Sequence, residues 1–263
     1  AMAEFYEITG WPDRGPAGPY GAYSDFVNPP IAFGSIVAAL DYRDRHGIGQ
    51  HIDLSQYEGA MHFLAPHIMK YNEDGSILGR KGNEDDRMYP HGIFPCLNKK
   101  RSLTSTKESW VAIAIESEYQ WAEFSKILRL PESILSQNLA ERKSNRDEID
   151  LLISKWTSQY DSRYIMNLLQ SHKIPSGMVQ SQSDMWEDPH LDHLDFFQWL
   201  EHTEIGPMPY DGLQFQLSET PGKLTRAQAM VGEDNKEILT EILSMRSSEV
   251  QTLLNEGVLE QSF

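Results

Sequence analysis

A single cysteine, Cys96, stands among 263 residues. That excludes an internal disulfide, which needs two thiols, and any metal site built from several thiolates. Basic residues are also scarce: 23 Lys and Arg face 39 Asp and Glu, a formal net charge of −16. Nucleic acid is therefore disfavoured as a main partner, because phosphate binding needs clustered cations that displace counterions. An anionic membrane surface is disfavoured for the same reason. No apolar run approaches the roughly 20 residues that span a bilayer. The N-terminus, AMAEFYEITG, has no basic stretch followed by an apolar one, so it does not read as a secretory leader. Together these absences predict a cytoplasmic protein with an acidic, solvated surface. They leave room for an anionic substrate held in a local basic pocket.

Generic catalytic motifs are missing too. There is no G-x-S-x-G elbow, no Walker loop and no G-x-G-x-x-G fingerprint. The nine histidines include His62 with His67 and His190 with His193. Neither pair has the i, i+4 spacing with a following carboxylate that helical zinc sites use, so packed or solvated histidine is the reading and no metal is expected. Cys96 follows Phe94 and Pro95 with nothing basic beside it. It reads as a buried, inert thiol.

What is present is ample apolar material: 40% hydrophobic residues and 10% aromatic. One large domain or two smaller ones are expected at this length. Residues 10–30 form a loop rich in Gly and Pro that carries Trp11, Tyr20 and Tyr23. Pro29 and Pro30 then open a helix, with Ile36, Val37 and Leu40 on one face, that stops at Gly47. QHIDLS reads as a short strand, and Ser55 with Glu58 as the cap of a helix from Gln56 to about Tyr71, kinked at Pro66. Helix, turn, strand and helix in succession is α/β grammar. WVAIAI (110–115) reads as a strand and EYQWAEFSKIL as a helix with Trp121, Phe124 and Leu128 on one stripe. Asn145 with Glu148, and Asp161, read as caps of two further helices, followed by a turn and strand in IPSGMVQS. A hairpin is predicted around YDGLQFQL, and two helices over roughly 233–245 and 247–256. The plan is α/β over 1–95, a small α+β module over 96–182, and a return to the first unit over 183–263.

Asp25 is the remaining candidate for chemistry. It lies in YSDFVNPP, between aromatic loop residues and a helix start. There an aspartate is ordinarily a cap or a partner for the helix dipole. Its neighbourhood gives it a second reading. The stretch YGAYSDFVNPPIAFGSIVAALDYRDRHGIGQHIDLSQYEGAMHFLAP resembles the class III CoA-transferase family, of the formyl-CoA and carnitine CoA-transferase type. The shared pattern is a loop aspartate, a small-residue helix with a charged last turn, HGIGQ (46–50), and Ser55 with Glu58. The likeness continues through GNEDDRMYPHGIFPC, WVAIAI, Gln120 with Trp121, Asn145 with Arg146, IPSG (174–177) and Asp188 with Pro189, to the end of the chain.

The resemblance implies a fold: a partial Rossmann-like large domain with an inserted small α+β domain, in a homodimer shaped like linked rings. It implies Asp25 as a nucleophile on acyl-CoA, exchanging coenzyme A between that thioester and a carboxylic acid, with Tyr23, Asn28, His91 and Gly92 at the substrate. A carboxylate suits the nucleophile's role, because it is ionised at neutral pH and equivalent to the acids exchanged. His91, in PHG, reads also as the cap of a turn. Gly82–Gly92 is implied as a mobile loop offering amide donors, without the consecutive glycines of the formyl-CoA type. The α-methylacyl-CoA racemases share the aspartate but pair it with an upstream histidine, and none precedes Asp25. The family's greater length implies an N-terminal half or second subunit that supplies most CoA contacts. A non-catalytic subunit of such a complex is the third reading.

Overall fold

The computed structural model describes residues 5–18, 22–100 and 106–261, so Tyr20 lies outside the described residues. The chain divides after Val179 into two compact units.

The first unit opens with helices: α1 (Phe5–Ile8), α2 (Tyr23–Val27), α3 (Pro29–His46), α4 (Gln56–Met61) and α5 (Ala65–Asp74). Proline occupies the first turn of α3, where no amide partner is needed. Gly47 ends that helix in the left-handed region at φ 72, its N–H donating to the Arg43 carbonyl at 2.7 Å. Arg43, Arg45 and His46 line the last turn, favourable against the helix dipole. Ser55 Oγ accepts from the Glu58 amide at 3.3 Å and starts α4. The helix expected from 56 to 71 is two, joined by a 3-10 turn at His62–Leu64 just ahead of Pro66. A proline inside a helix removes one amide donor and crowds the preceding turn, which gives the break.

Next come β1 (His91–Pro95), β2 (Lys99–Lys100), β3 (Thr106–Lys107), β4 (Trp110–Ala114), α6 (Glu118–Leu128), α7 (Glu132–Leu135), α8 (Leu139–Ser144), α9 (Arg146–Thr157), α10 (Ser162–Ser171) and β5 (Ser176–Met178). Strands β1, β4 and β5 form an antiparallel sheet in that order, with Ile93 opposite Ala112 and Ala112 opposite Gly177. Alternation in β4 sends Val111 and Ile113 into the core, where they meet Trp121 and Phe124 of α6, Ile149 and Ile153 of α9, and Ile165 and Leu169 of α10. Each helix thus contributes an i, i+3 or i, i+4 pair, and each side chain fully buried contributes roughly 1.5–3 kcal/mol. Ser117 and Gln120 form a reciprocal capping box on α6. Buried Arg142 lies 4.8 Å from the Trp121 ring centroid and donates twice to Glu118, at 3.0 and 2.8 Å.

The second unit holds α11 (Gln182–Trp186), α12 (Pro189–His193), a hairpin of β6 (Phe197–His202) and β7 (Gly206–Asp211), a π-helical turn at Glu237–Ile242, and α13 (Ser247–Asn255). The mixed α/β class predicted from sequence is the class observed, and every strand pair among the described residues is antiparallel.

Three local expectations are corrected. QHIDLS has no strand pairing among the described residues, and Ile52 in it is exposed. An extended segment without a neighbouring ladder keeps its amides on water and is no strand. Asn145 does precede α9, but its amide donates to the Glu148 carboxylate at 2.9 Å and its side chain caps no main-chain amide. The hairpin includes only Tyr210 and Asp211 of YDGLQFQL, at the end of β7, and reverses between His202 and Gly206. Gly212 instead closes its open end, donating to the Phe196 carbonyl at 2.7 Å, where a Cβ would sit 2.6 Å from that oxygen.

Candidate active site

Asp25 occupies the middle of the short helix α2 rather than a loop, and its side chain is exposed. Directly after it, Asn28 joins α2 to α3 and is only 2% exposed. Its Nδ2 donates back to the Ser24 carbonyl at 2.7 Å and across to the Gln56 carbonyl at 3.1 Å, so both amide hydrogens are used. Its main-chain carbonyl accepts from Ile31 and Ala32, at 2.9 and 3.0 Å, and opens α3. One residue therefore ties α2, α3 and α4 together. Asn28 Oδ1 is buried without a hydrogen-bond partner among the described residues. The tie needs close approach: a Cβ on Gly59 of α4 would lie 1.9 Å from that Oδ1.

Gln56 approaches the same helix with its side chain. Its Nε2 donates to Asp25 Oδ1 at 2.9 Å, and no described residue is bonded to the other carboxylate oxygen. Tyr23, half-buried at the start of α2, packs edge-on against Phe5 at 4.8 Å and 67°. Asp25 and Asn28 are thus joined through Gln56, with Tyr23 on the same short helix, and Gln56 is the member that sequence reading missed. Gln56 lies inside the Ser55–Glu58 cap, but nothing in that local pattern signals a bond to a residue 31 positions away.

His91 and Gly92 lie elsewhere in the unit, on β1. His91 Nδ1 is 2.7 Å from the Asn83 carbonyl. Both residues line a cavity of about 370 Å³ over the small residues Ala112, Ala114 and Gly177. They also line a second, of about 560 Å³, whose wall includes Lys81, Lys143, Arg146 and Asp150. Tyr23, Asp25 and Asn28 line neither.

The segment Gly82–Gly92, expected as a mobile loop, is strapped down. The Gly82 amide donates to Gly10 at 2.8 Å, with Trp11 packed where a Cβ would be. Lys143 donates to the carbonyls of Asp85 and Asp86 at 2.9 and 2.6 Å, and Arg146 pairs with Glu84. Tyr89 donates its hydroxyl to Asp150 at 2.8 Å. Arg146 holds the Glu84 carboxyl below its usual range. Burial raises that of Asp150, against the opposing pull of the Tyr89 hydroxyl and Arg146. Burial also pushes the Cys96 thiol up to about 11, with the Asp161 charge adding to it, so the thiol is protonated at neutral pH. Among the described residues, no cluster of His, Cys, Asp and Glu is placed to hold a metal. None of their helices is long and apolar enough to cross a membrane.

An α/β chain that presents a braced aspartate on a short helix ahead of a long one defines the class to compare. The chain belongs to CoA-transferase family III, whose model matches residues 1–235. It is similar to the succinyl-CoA–D-citramalate CoA-transferase of Chloroflexus aurantiacus, 25% identical over 262 residues, covering 98% of this chain and 63% of the relative. It is similar as well to the succinyl-CoA–L-malate CoA-transferase alpha subunit of Chloroflexus aurantiacus, 25% identical over 256 residues, 96% of this chain and 58% of the relative. Among solved structures, a CAIB/BAIF family protein from Brucella suis superposes with a TM-score of 0.77 at 23% identity, covering 92% of this chain and 61% of that one. At that identity the likeness speaks for the fold alone. The chain spans 63% and 58% of the length of the two transferases.

Proposed function

We propose that this chain, together with a partner polypeptide, transfers coenzyme A from an acyl-CoA to a carboxylic acid, with Asp25 as the nucleophile. The observation that carries the reading is an exposed carboxylate fixed at one oxygen by Gln56 and, among the described residues, unbonded at the other. The unbonded oxygen attacks the thioester carbon. The C–S bond breaks, giving a mixed anhydride and CoA thiolate. The thiolate then attacks Cγ of Asp25, the donor acid leaves as its carboxylate, and an aspartyl-CoA thioester remains. An acceptor carboxylate repeats both steps in reverse and restores Asp25. Dividing the exchange this way makes each step a displacement at an activated acyl group.

Tyr23, beside Asp25, and His91 with Gly92, on the cavity rim, are proposed to contact substrate. Asn28, expected at the substrate as well, has only Oδ1 left to offer. The transferase branch, which includes formyl-CoA and carnitine CoA-transferases, is favoured over the racemases because both curated relatives named above are CoA-transferases. The division into 1–95, 96–182 and 183–263 is retained as the proposed organisation. A partner subunit is proposed because one relative is named as an alpha subunit.

Incubation with succinyl-CoA, the donor named for both relatives, is expected to leave CoA on the Asp25 peptide by mass spectrometry. Replacing Asp25 by Ala should lower transfer by about 10⁴-fold or more. Transfer undiminished in that variant sinks the proposal, and solvent deuterium entering the α-carbon without CoA exchange would mark an isomerase instead.

A further inference from the structure

We infer that Gln56 is a catalytic hydrogen-bond donor that stabilises the oxyanion formed on Asp25 itself when CoA thiolate attacks Cγ. This rests on the reading of Asp25 as the nucleophile. The geometry gives the residue two bonds to one helix: its main-chain carbonyl accepts from Asn28 at 3.1 Å, and its Nε2 donates to Asp25 Oδ1 at 2.9 Å. The first bond fixes where α2 sits relative to the start of α4. The second then has a defined target.

The two carboxylate oxygens are thereby made unequal. Oδ2, which no described residue bonds, is the oxygen that attacks the acyl-CoA. Oδ1 becomes the carbonyl oxygen of the anhydride and of the aspartyl thioester. When thiolate adds to Cγ, a new S–C bond forms and the carbonyl π pair moves to Oδ1. On collapse that pair returns, and the bond from Cγ to Oδ2 breaks, so Oδ2 leaves within the donor carboxylate. Negative charge thus develops at the atom Gln56 already touches, and a donor set in place before the step needs no reorganisation. An amide fits better than a cation here: it supports the oxyanion without pairing permanently with the ground-state carboxylate.

The test uses the complete enzyme with its partner subunit, succinyl-CoA as donor, and the variants Gln56→Met and Gln56→Leu beside Asp25→Ala. Both Gln56 variants keep the main-chain carbonyl, so the Asn28 tie persists and Tm should stay within about 2 °C. The expected result is a kcat lower by about 10²-fold with KM for succinyl-CoA little changed. Hydroxylamine should trap more anhydride at Asp25, because its breakdown is the slowed step. A kcat within about threefold of the parent, while Asp25→Ala is inactive, overturns the role of Gln56 and leaves Asp25 standing. So does a rise in KM without anhydride accumulation, or a fall in Tm that tracks the activity loss. Full transfer by Asp25→Ala overturns both.

Discussion

Gly59 lies in α4 where a Cβ would come within 1.9 Å of Asn28 Oδ1, far inside any real carbon–oxygen contact. Helix propensity alone gives Gly59→Ala a gain of about 0.5–1 kcal/mol. The methyl group instead has to displace the Asn28 amide, which loses its bonds to Ser24 and Gln56 and leaves buried polar groups unpaired, at about 1–3 kcal/mol. Gly59→Ala should therefore lower Tm and, by freeing α2, lower transfer at least tenfold. A stabilised variant with unchanged transfer would show that the brace does not position Asp25. Asp25 was marked as a candidate by the motif around it. Gln56 and Gly59 were not, because their parts arise from contacts with α2 that neither helical periodicity nor capping rules encode.

The short elements around the sheet show what local rules carry. Proline, glycine and cap residues placed α3 and α10 well, and the apolar stripe placed α6, because those signals act within a few turns of the chain. The strand read in QHIDLS failed because pairing is set by a neighbour the segment does not specify. The strap over 81–90 went unread because its anchors, Lys143, Arg146 and Asp150, come from helices some 60 residues later. That strap yields a pH experiment with two opposite signs. Glu84 has a folded pKa below its unfolded one, so its stabilisation is present above about pH 4.3 and is lost as pH falls through the folded value. Glu84→Gln should lower Tm at pH 7 by the equivalent of under about 1 kcal/mol, since the pair is half-exposed, and should converge on the parent near pH 3. Asp150 has a raised folded pKa, so its contribution is complete below about pH 3.9 and is lost as pH rises through the folded value. Asp150→Asn keeps an acceptor for Tyr89 and should raise Tm at pH 7, with the gain vanishing in acid. Thermal melts from pH 3 to 8 check both, and shifts of the same sign would contradict the assignment.

At the scale of the whole molecule, a well-built core lies under the three-stranded sheet, and α3 is its opposite. Phe33, Ile36, Val37 and Leu40 recur at i, i+3, i+4 and i+7, the stripe of a core-facing helix, yet Phe33 is 69% exposed, Ile36 49% and Val37 47%. No residue of α3 is buried. The sequence showed the stripe but not what covers it. Helices in proteins draw most of their stability from packing an apolar face, and a contiguous apolar patch marks an interface. The two transferase relatives are longer, with this chain spanning 63% and 58% of them. We expect the stripe to receive a polypeptide equivalent to the remainder of those relatives. Ile36→Glu with Val37→Glu should then leave the Tm of the isolated chain nearly unchanged, within about 0.5 kcal/mol, because the sites are exposed there. The same pair should abolish co-purification with such a partner and with it CoA transfer, since a carboxylate buried without a counter-charge costs several kcal/mol. Sedimentation equilibrium separates the alternative. A discrete dimer of the isolated chain that the double substitution dissolves would assign the stripe to a second copy, whereas a monomer before and after, with partner binding lost, assigns it to that partner.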